Sequence, residues 1–188
     1  MPCVITMKYP LAYLITFTTY GTWLHGDKRA SVNEEHNRFG DQFVPCNPGL
    51  NTKEQSSLKH PPIKLNAFSR NRVLKAILEV CEFRGWFAHS VHVRTNHVHI
   101  VVSGREEPER MMRDFKIYAT KAIKKDGNKI SAGKYWTRHG STKYIWTKER
   151  LHSSIEYVKN GQGNIMALGA TEPQALARGH RAPNVNER

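Results

Sequence analysis

The sequence predicts an α+β protein with a ferredoxin-like split βαβ fold. In this fold an antiparallel sheet carries two helices on one face. Two observations support the prediction. The hydrophobic patterns occur in the order strand, helix, strand, strand, helix, strand, and Thr95 and Asn96 form a two-residue connection that suits a tight hairpin between the middle strands. A C-terminal helix and a basic tail are expected to follow.

The first strand is predicted over residues 11–20, where β-branched and aromatic residues dominate. The first helix follows from apolar residues that recur at spacings of three and four between residues 73 and 81. We expect Asn66 or Ser69 to cap the start of this helix and Gly85 to end it.

The hairpin strands are predicted over 86–94 and 97–103, and the second helix over 107–125, with a proline in its first turn. A short fourth strand is predicted over 143–146. Thr147 is then expected to cap the last helix, whose apolar stripe and end lie at Leu151, Ile155, Val158 and Gly161.

These elements predict one domain over residues 1–163, interrupted by a long loop insertion at about 21–65. The insertion is rich in turn residues, and a DNA-hairpin clamp is one hypothesis for its role. Residues 164–188 lack hydrophobic periodicity and are rich in Ala, Gly, Pro and Arg, which predicts a basic, flexible tail.

The charge balance indicates a polyanionic partner. The chain has 29 Lys and Arg against 16 Asp and Glu, a net charge of +13, and a pI of about 9.9. Nucleic acid is the first candidate because Lys and Arg neutralise phosphates, while a basic soluble protein without such a partner is the alternative.

No apolar run approaches the roughly 18–20 residues of a membrane span, so no membrane partner is expected. Three widely separated cysteines and the lack of a secretory signal predict a cytoplasmic protein.

Two histidines in the second hairpin strand form a candidate metal site. His97 and His99 are two residues apart, so their side chains share one face of the strand and can both reach one ion. The alternative is a pair of polar residues on a solvated sheet face. His89 and His92 are three residues apart, and we interpret both as structural.

A tyrosine on the second helix is the candidate nucleophile. On a helical wheel Tyr118 lies at the flank of the buried stripe, beside Lys121 and Lys125. A phenol next to ammonium groups suits nucleophilic attack on a phosphate, although a tyrosine at the boundary of a core explains the position equally well. A joint site requires the histidines to point at the face that this helix covers.

Four sequence blocks carry a resemblance to a known family. They read VRTNHVHIVVSG, FKIYATKAIKK, YWTRHGSTKYIW and YVKNGQG, in that order, and ITFTTYGTWLHGD precedes them. The chain resembles the REP-associated tyrosine transposases of the single-tyrosine HUH superfamily, where HUH denotes His-hydrophobic-His. The resemblance covers residues 11–163.

The resemblance implies a metal-dependent transposase that cleaves and rejoins single-stranded DNA. Mg²⁺ or Mn²⁺ would be held by His97 and His99, and Tyr118 would form a 5′-phosphotyrosine link. The implied substrate is a hairpin-containing DNA, and the implied state is a monomer or a homodimer.

The third metal ligand is an open question at this stage. The superfamily often has a polar ligand four residues after the tyrosine, a position that is Ala122 here. His25, Asp27 and His139 are candidates from elsewhere, and water or the DNA phosphate could also fill the position.

DNA contacts are predicted for Lys116, Lys121, Lys125 and Arg138. Trp136 is expected to be exposed, in a turn that could hold a phosphate or stack a base. Two rival functions are a domesticated, non-catalytic protein that binds hairpin DNA or RNA, and a relaxase-like HUH nuclease.

Overall fold

A computed structural model of the chain describes residues 9–22, 24, 48–125 and 134–172. The helices and strands in these parts are β1 Ala12–Thr18, α1 Pro48–Ser56, α2 Ala67–Arg84, β2 Phe87–Val93, β3 His97–Ser103, α3 Pro108–Lys124, β4 Ser141–Ile145, α4 Lys148–Asn160 and β5 Ala167–Gly169. The strands form one sheet in the order β4-β1-β3-β2-β5, with every neighbouring pair antiparallel. The predicted ferredoxin-like α+β fold is confirmed.

The helix ends follow the predicted capping residues. The side chain of Asn66 accepts a hydrogen bond of 2.8 Å from the backbone N–H of Ser69. Gly85 ends α2 with a φ of 67°, a left-handed conformation that glycine adopts without strain. Thr147 Oγ1 accepts from the backbone N–H of Arg150 and so begins α4. α3 spans Pro108–Lys124, within one residue of its predicted range at each end.

The two faces of the sheet pack against different helices. One face, called here the helix-pair face, lies under α2 and α3 and contributes alternate residues of β1 and β3 to the larger core: Tyr13, Ile15, Phe17, Val98, Ile100 and Val102. The other face, called the α4 face, carries a smaller apolar cluster of Ala12, Val101, Ile145 and Val158. Because side chains alternate along a strand, the residues between those of the larger core lie on the α4 face.

The predicted tail begins too early. Residues 167–169 form β5, which pairs with β2 through Val93 opposite Ala167. Ala167 is buried in the larger core, so this apolar residue gains from joining the sheet edge. Residues 173–188 of the predicted tail lie outside the described residues.

The insertion at 21–65 is likewise not a loop throughout. Its second half contains α1, and its last residues include Ile63 and Leu65, which are buried in the larger core. Backbone N–H groups of both residues are bonded, Ile63 to Tyr20 O and Leu65 to Thr95 O. The clamp hypothesis for the whole 21–65 segment stays a prediction, and residues 23 and 25–47 of that segment lie outside the described residues. Across the parts of the chain that are described, none of the helices is long and apolar enough to cross a membrane.

Candidate active site

The predicted histidine pair lies on the α4 face of β3. The ring centroids of His97 and His99 are 4.8 Å apart, and the planes meet at 76°. Val98 and Ile100 point into the larger core on the opposite face. The two imidazoles are therefore close neighbours, as the strand period predicts.

Each imidazole is oriented through its Nδ1 atom. His97 Nδ1 lies 2.8 Å from Asn96 Oδ1, and because a carboxamide oxygen can only accept, Nδ1 carries the proton and Nε2 carries the lone pair. His99 Nδ1 lies 2.8 Å from the Thr16 hydroxyl on the neighbouring strand. Hydrogen bonds of this kind fix the ring orientation of metal-binding histidines.

His99 is neutral at ordinary pH. Its side chain is only 6% exposed, and burial lowers its pKa to about 3, with a further lowering from the charge of His97. A hydrogen bond with the Gln162 side chain acts in the opposite direction. The neutral imidazole is the form that binds a metal ion, so burial keeps His99 in the binding form.

A tyrosine of α4 adjoins the histidine pair. The ring of Tyr157 lies 5.6 Å from the ring of His99, centroid to centroid, and Tyr157 is 46% exposed. Val158, the next residue, is buried against the sheet and anchors the last turns of α4. The chain then leaves the helix at Gly161, and Gln162 donates from Nε2 to the Tyr157 carbonyl at 3.5 Å. The α4 face thus brings together two imidazoles, a phenol and a carboxamide.

Sequence reasoning missed Tyr157 and Gln162 as site residues, although both lie in the quoted YVKNGQG block. The signal that could have identified them is the order of the strands and helices. In the split βαβ order, α2 and α3 occupy one face of the sheet, so a further helix packs on the other face. Strand alternation assigns that other face to His97 and His99.

Within this chain the structure does not bring Tyr118, the predicted nucleophile, together with the histidines. Tyr118 lies on α3 and packs against the larger core on the helix-pair face, with Lys121 Nζ 5.0 Å from its ring centroid. The sheet itself separates this phenol from both imidazoles. A joint site required the histidines to point at the face that α3 covers, and that face is occupied by Val98 and Ile100 instead.

Lys116, a predicted DNA contact, is hydrogen-bonded within the chain. Its Nζ donates to the carbonyls of Thr137, Arg138 and His139 at 3.0, 3.3 and 3.2 Å. The ammonium also lies 5.5 Å from the Phe17 ring centroid, and desolvation lowers its pKa to about 8. Lys116 therefore binds the 137–139 segment to α3.

The other predicted DNA contacts have exposed side chains. Lys121 and Lys125 lie at the last turn of α3, and Arg138 lies in the segment before β4. Their role in DNA binding stays a prediction. Trp136, expected to be exposed, is only 8% exposed, and its Nε1 donates to the Lys116 carbonyl and the Thr120 hydroxyl. It is a core residue because its ring packs edge-on against Phe17 at 5.0 Å.

None of the predicted third ligands joins the pair in the described part of the chain. There, no three His, Cys, Asp or Glu side chains are grouped for metal binding, which leaves His139 apart from His97 and His99. His25 and Asp27 lie outside the described residues. Ala122 is on α3, across the sheet.

The neighbouring histidines have other partners. His92 Nδ1 donates to the Val158 carbonyl, and its Nε2 accepts from the backbone N–H of Met166. His89 Nε2 bonds the Ser103 hydroxyl at 2.7 Å.

The fold and the polar site define a ferredoxin-like domain in which a tyrosine on a helix, Tyr157, lies beside the His-hydrophobic-His pair of His97 and His99. Residues 63–160, just over half of the chain, match the family model of IS200-like transposases. The chain belongs to that family, and the resemblance found in its sequence blocks is confirmed at that level. A search of curated proteins finds no match. Among solved structures, the chain is similar to a REP-associated tyrosine transposase bound to a REP hairpin, with 14% identity, a TM-score of 0.43, and coverage of 82% of this chain and 70% of the other.

Proposed function

We propose that this IS200-like family member is a transposase that cleaves and rejoins single-stranded DNA with Tyr157 as its nucleophile. The observation that carries the proposal is the placement of the Tyr157 ring 5.6 Å from His99, on the same face of the sheet as His97. Half-exposure leaves the phenol open to a substrate strand.

The residues of the site fit a divalent cation. The neutral imidazole of His99 and the imidazole of His97 are each hydrogen-bonded through Nδ1 and lie on one face, and Gln162 beside His99 can supply a carboxamide oxygen. Carboxamide oxygen and water suit Mg²⁺ and Mn²⁺, and imidazole is the commonest metal-binding side chain. When bound, such an ion would polarise a non-bridging oxygen of the scissile phosphate. His97, His99 and Gln162 are thus the proposed ligands.

The reaction is a transesterification at phosphorus. The Tyr157 Oη loses its proton and forms a bond to phosphorus, while the bond from phosphorus to the 3′ oxygen breaks. The departing 3′ oxygen takes up a proton, and the 5′ end stays linked to Tyr157. Attack by a 3′-hydroxyl reverses the step, and the number of phosphoester bonds is unchanged throughout, so no external energy source is needed.

The proposed substrate is single-stranded DNA that contains a hairpin. The net charge of +13 supports a nucleic-acid partner, and the family supports DNA. An exposed tyrosine on the surface of a helix can reach a phosphate of a single strand without prior opening of a duplex.

The test is a covalent-adduct assay with two matched tyrosine variants. Wild-type protein is incubated with labelled hairpin-containing single-stranded DNA, with Mn²⁺ or with EDTA, and run on a denaturing gel. Tyr157→Phe and Tyr118→Phe each remove one hydroxyl, on opposite faces of the sheet. We expect a metal-dependent adduct that is lost in Tyr157→Phe and retained in Tyr118→Phe.

Two other outcomes identify the alternatives. An adduct that survives in Tyr157→Phe and disappears in Tyr118→Phe would overturn the assignment and point to a tyrosine supplied by a second copy. A folded wild-type protein that binds the hairpins but forms no adduct would favour the non-catalytic binder.

A further inference from the structure

Arg94 lies on the same face of the sheet as the histidine pair. It directly follows β2, and its backbone N–H donates to the carbonyl of His97 at 2.8 Å, which closes the β2–β3 hairpin. Val93 pairs with Val98 in the register, so Arg94 lies opposite His97. Residues that face each other across an antiparallel pair share a face, as do residues two apart in a strand. Arg94 therefore shares the α4 face with His97 and with His92.

The guanidinium of Arg94 is held by the turn that carries Gln162. Its Nη1 donates to the carbonyl of Asn164 at 2.6 Å. Its Nη2 approaches Gly163, where an added Cβ would lie 3.8 Å from it, and Gly163 has a φ of 73°. One short turn thus positions both the carboxamide and the guanidinium beside the histidines.

A cation at this place attracts an anionic partner. Arg94 lies opposite His97 across the β2–β3 pair, and its backbone N–H is bonded to the His97 carbonyl, so its positive charge stands on the face that carries the imidazoles. A fixed positive charge next to a divalent-cation site opposes metal binding unless an anion is shared between them. In the described part of the chain, no carboxylate forms an ion pair with Arg94; the bond from its guanidinium is to a backbone carbonyl.

We infer that Arg94 binds a phosphate of the DNA strand that enters the Tyr157 site. The inference rests on the proposed function. A guanidinium has five N–H donors in a planar fork, so the bond from Nη1 to Asn164 leaves donors for phosphate oxygens. The Asn164 carbonyl holds the Arg94 guanidinium in place for a phosphate, whose negative charge would balance the positive charge of the side chain.

The experiment measures DNA binding without cleavage. A fluorescent hairpin oligonucleotide of mixed sequence with single-stranded flanks is titrated with protein in EDTA over a series of salt concentrations. The variants are Arg94→Met, which removes the charge, and Arg94→Lys, which retains it. The matched control is Arg70→Met, because Arg70 also donates its guanidinium to a backbone carbonyl, that of Leu65 at 2.8 Å, but lies on α2 across the sheet.

Loss of one phosphate contact to a single strand should reduce the slope of log affinity against log salt by about 0.7. We expect this reduction in Arg94→Met and not in Arg94→Lys or Arg70→Met. Mn²⁺ affinity, measured by calorimetry, should be unchanged or higher in Arg94→Met, because a neighbouring positive charge is removed. If Arg94 only held the Gln162 turn in place, the Arg94→Met variant would instead bind Mn²⁺ more weakly.

An unchanged salt slope in Arg94→Met would overturn the inference. A weaker Mn²⁺ affinity in that variant, or a wild-type protein that does not bind the oligonucleotide, would do the same. The proposed nucleophile is tested separately by the adduct assay. Because the titration contains EDTA and needs no cleavage, the failure of either idea is distinguishable from the failure of the other.

Discussion

The two faces of the sheet differ in what they bury. The helix-pair face is covered by α2 and α3 and is apolar along the full length of β1 and β3. The α4 face is apolar only at the end near Ala12 and Val101, and it becomes polar toward Thr16, His99 and His97. α4 covers the apolar end of this face, and the end that carries His97 is partly exposed.

Because the two faces differ, a single strand contains both residues that stabilise the fold and residues of the candidate site. In β3, the residues that hold the fold together and the residues of the candidate site alternate one by one. Val98 and Ile100 are fully buried in the larger core, whereas His97 is half-buried on the other face. Substitutions at neighbouring positions should therefore have effects of different kinds.

The largest effect is expected for His99→Ala. Removing one of two imidazole ligands should lower Mn²⁺ affinity by more than about 100-fold, because loss of even an outer-shell partner of a ligand costs 10–100-fold. The DNA adduct should disappear with it. Calorimetric titration with Mn²⁺ and the adduct gel measure the two effects. His139→Ala is the matched control, because His139 is exposed and lies apart from the pair. If the His99→Ala variant bound Mn²⁺ with the wild-type affinity, the metal site would not lie on the α4 face.

Ile100→Ala tests the other face of the same strand. Ile100 is 0% exposed, and truncation of a buried isoleucine should lower the free energy of unfolding by about 2–5 kcal/mol. Urea unfolding measures the loss, and Mn²⁺ affinity at a temperature where the variant is folded should be unchanged. Ile165→Ala is the control, because Ile165 is 65% exposed and its truncation should cost less than about 0.5 kcal/mol. A loss of Mn²⁺ binding in folded Ile100→Ala would mean that the two faces are not independent.

Much of this contrast could be read from the sequence. Hydrophobic periodicity and capping residues such as Asn66, Gly85 and Thr147 predicted the element order, because these signals are local. Strand alternation placed His97 and His99 side by side for the same reason. β5 has three residues and pairs with β2, so its own sequence carries too short a pattern to identify it as a strand.

The identity of the tyrosine in the site is not a local property. Both Tyr118 and Tyr157 lie on amphipathic helices near lysines, and each resembles a boundary residue of a core. What distinguishes them is the sheet face on which each helix packs, which depends on the whole topology. Lys116 illustrates the same limit, because its three carbonyl partners lie about 20 residues away along the chain.

A smaller effect on the α4 face is expected for Thr16→Val. This change removes the hydroxyl that bonds His99 Nδ1 at 2.8 Å and nearly preserves the shape of the side chain. Loss of such an outer-shell hydrogen bond should lower Mn²⁺ affinity by about 10–100-fold. Thr142→Val is the control, because the Thr142 hydroxyl donates to Glu109 at an exposed position on α3. Equal Mn²⁺ affinities in the two variants would show that Thr16 does not orient the imidazole.

The smallest effect is expected from the pH dependence of His92, where α4, β2 and the segment before β5 meet. The neutral ring donates from Nδ1 to the Val158 carbonyl and accepts at Nε2 from Met166 N–H, and burial lowers its pKa below 6.5. In the unfolded chain His92 titrates near its ordinary value, so below that pH the unfolded state binds more protons. The contribution of His92 to stability is therefore complete above pH 6.5 and is lost as the pH falls through its lowered pKa.

The matched variant is His92→Gln, which keeps one donor and one acceptor but does not titrate. Urea unfolding of wild type and variant should be compared between pH about 7.5 and about 5. The wild type should lose stability relative to His92→Gln as the pH falls, whereas His152→Gln, at an exposed histidine of α4, should show the wild-type dependence. A constant difference between wild type and His92→Gln would mean that His92 keeps its protonation state on unfolding. In that case the acid sensitivity of the α4 face would have to come from other groups, such as His99, whose pKa burial lowers to about 3.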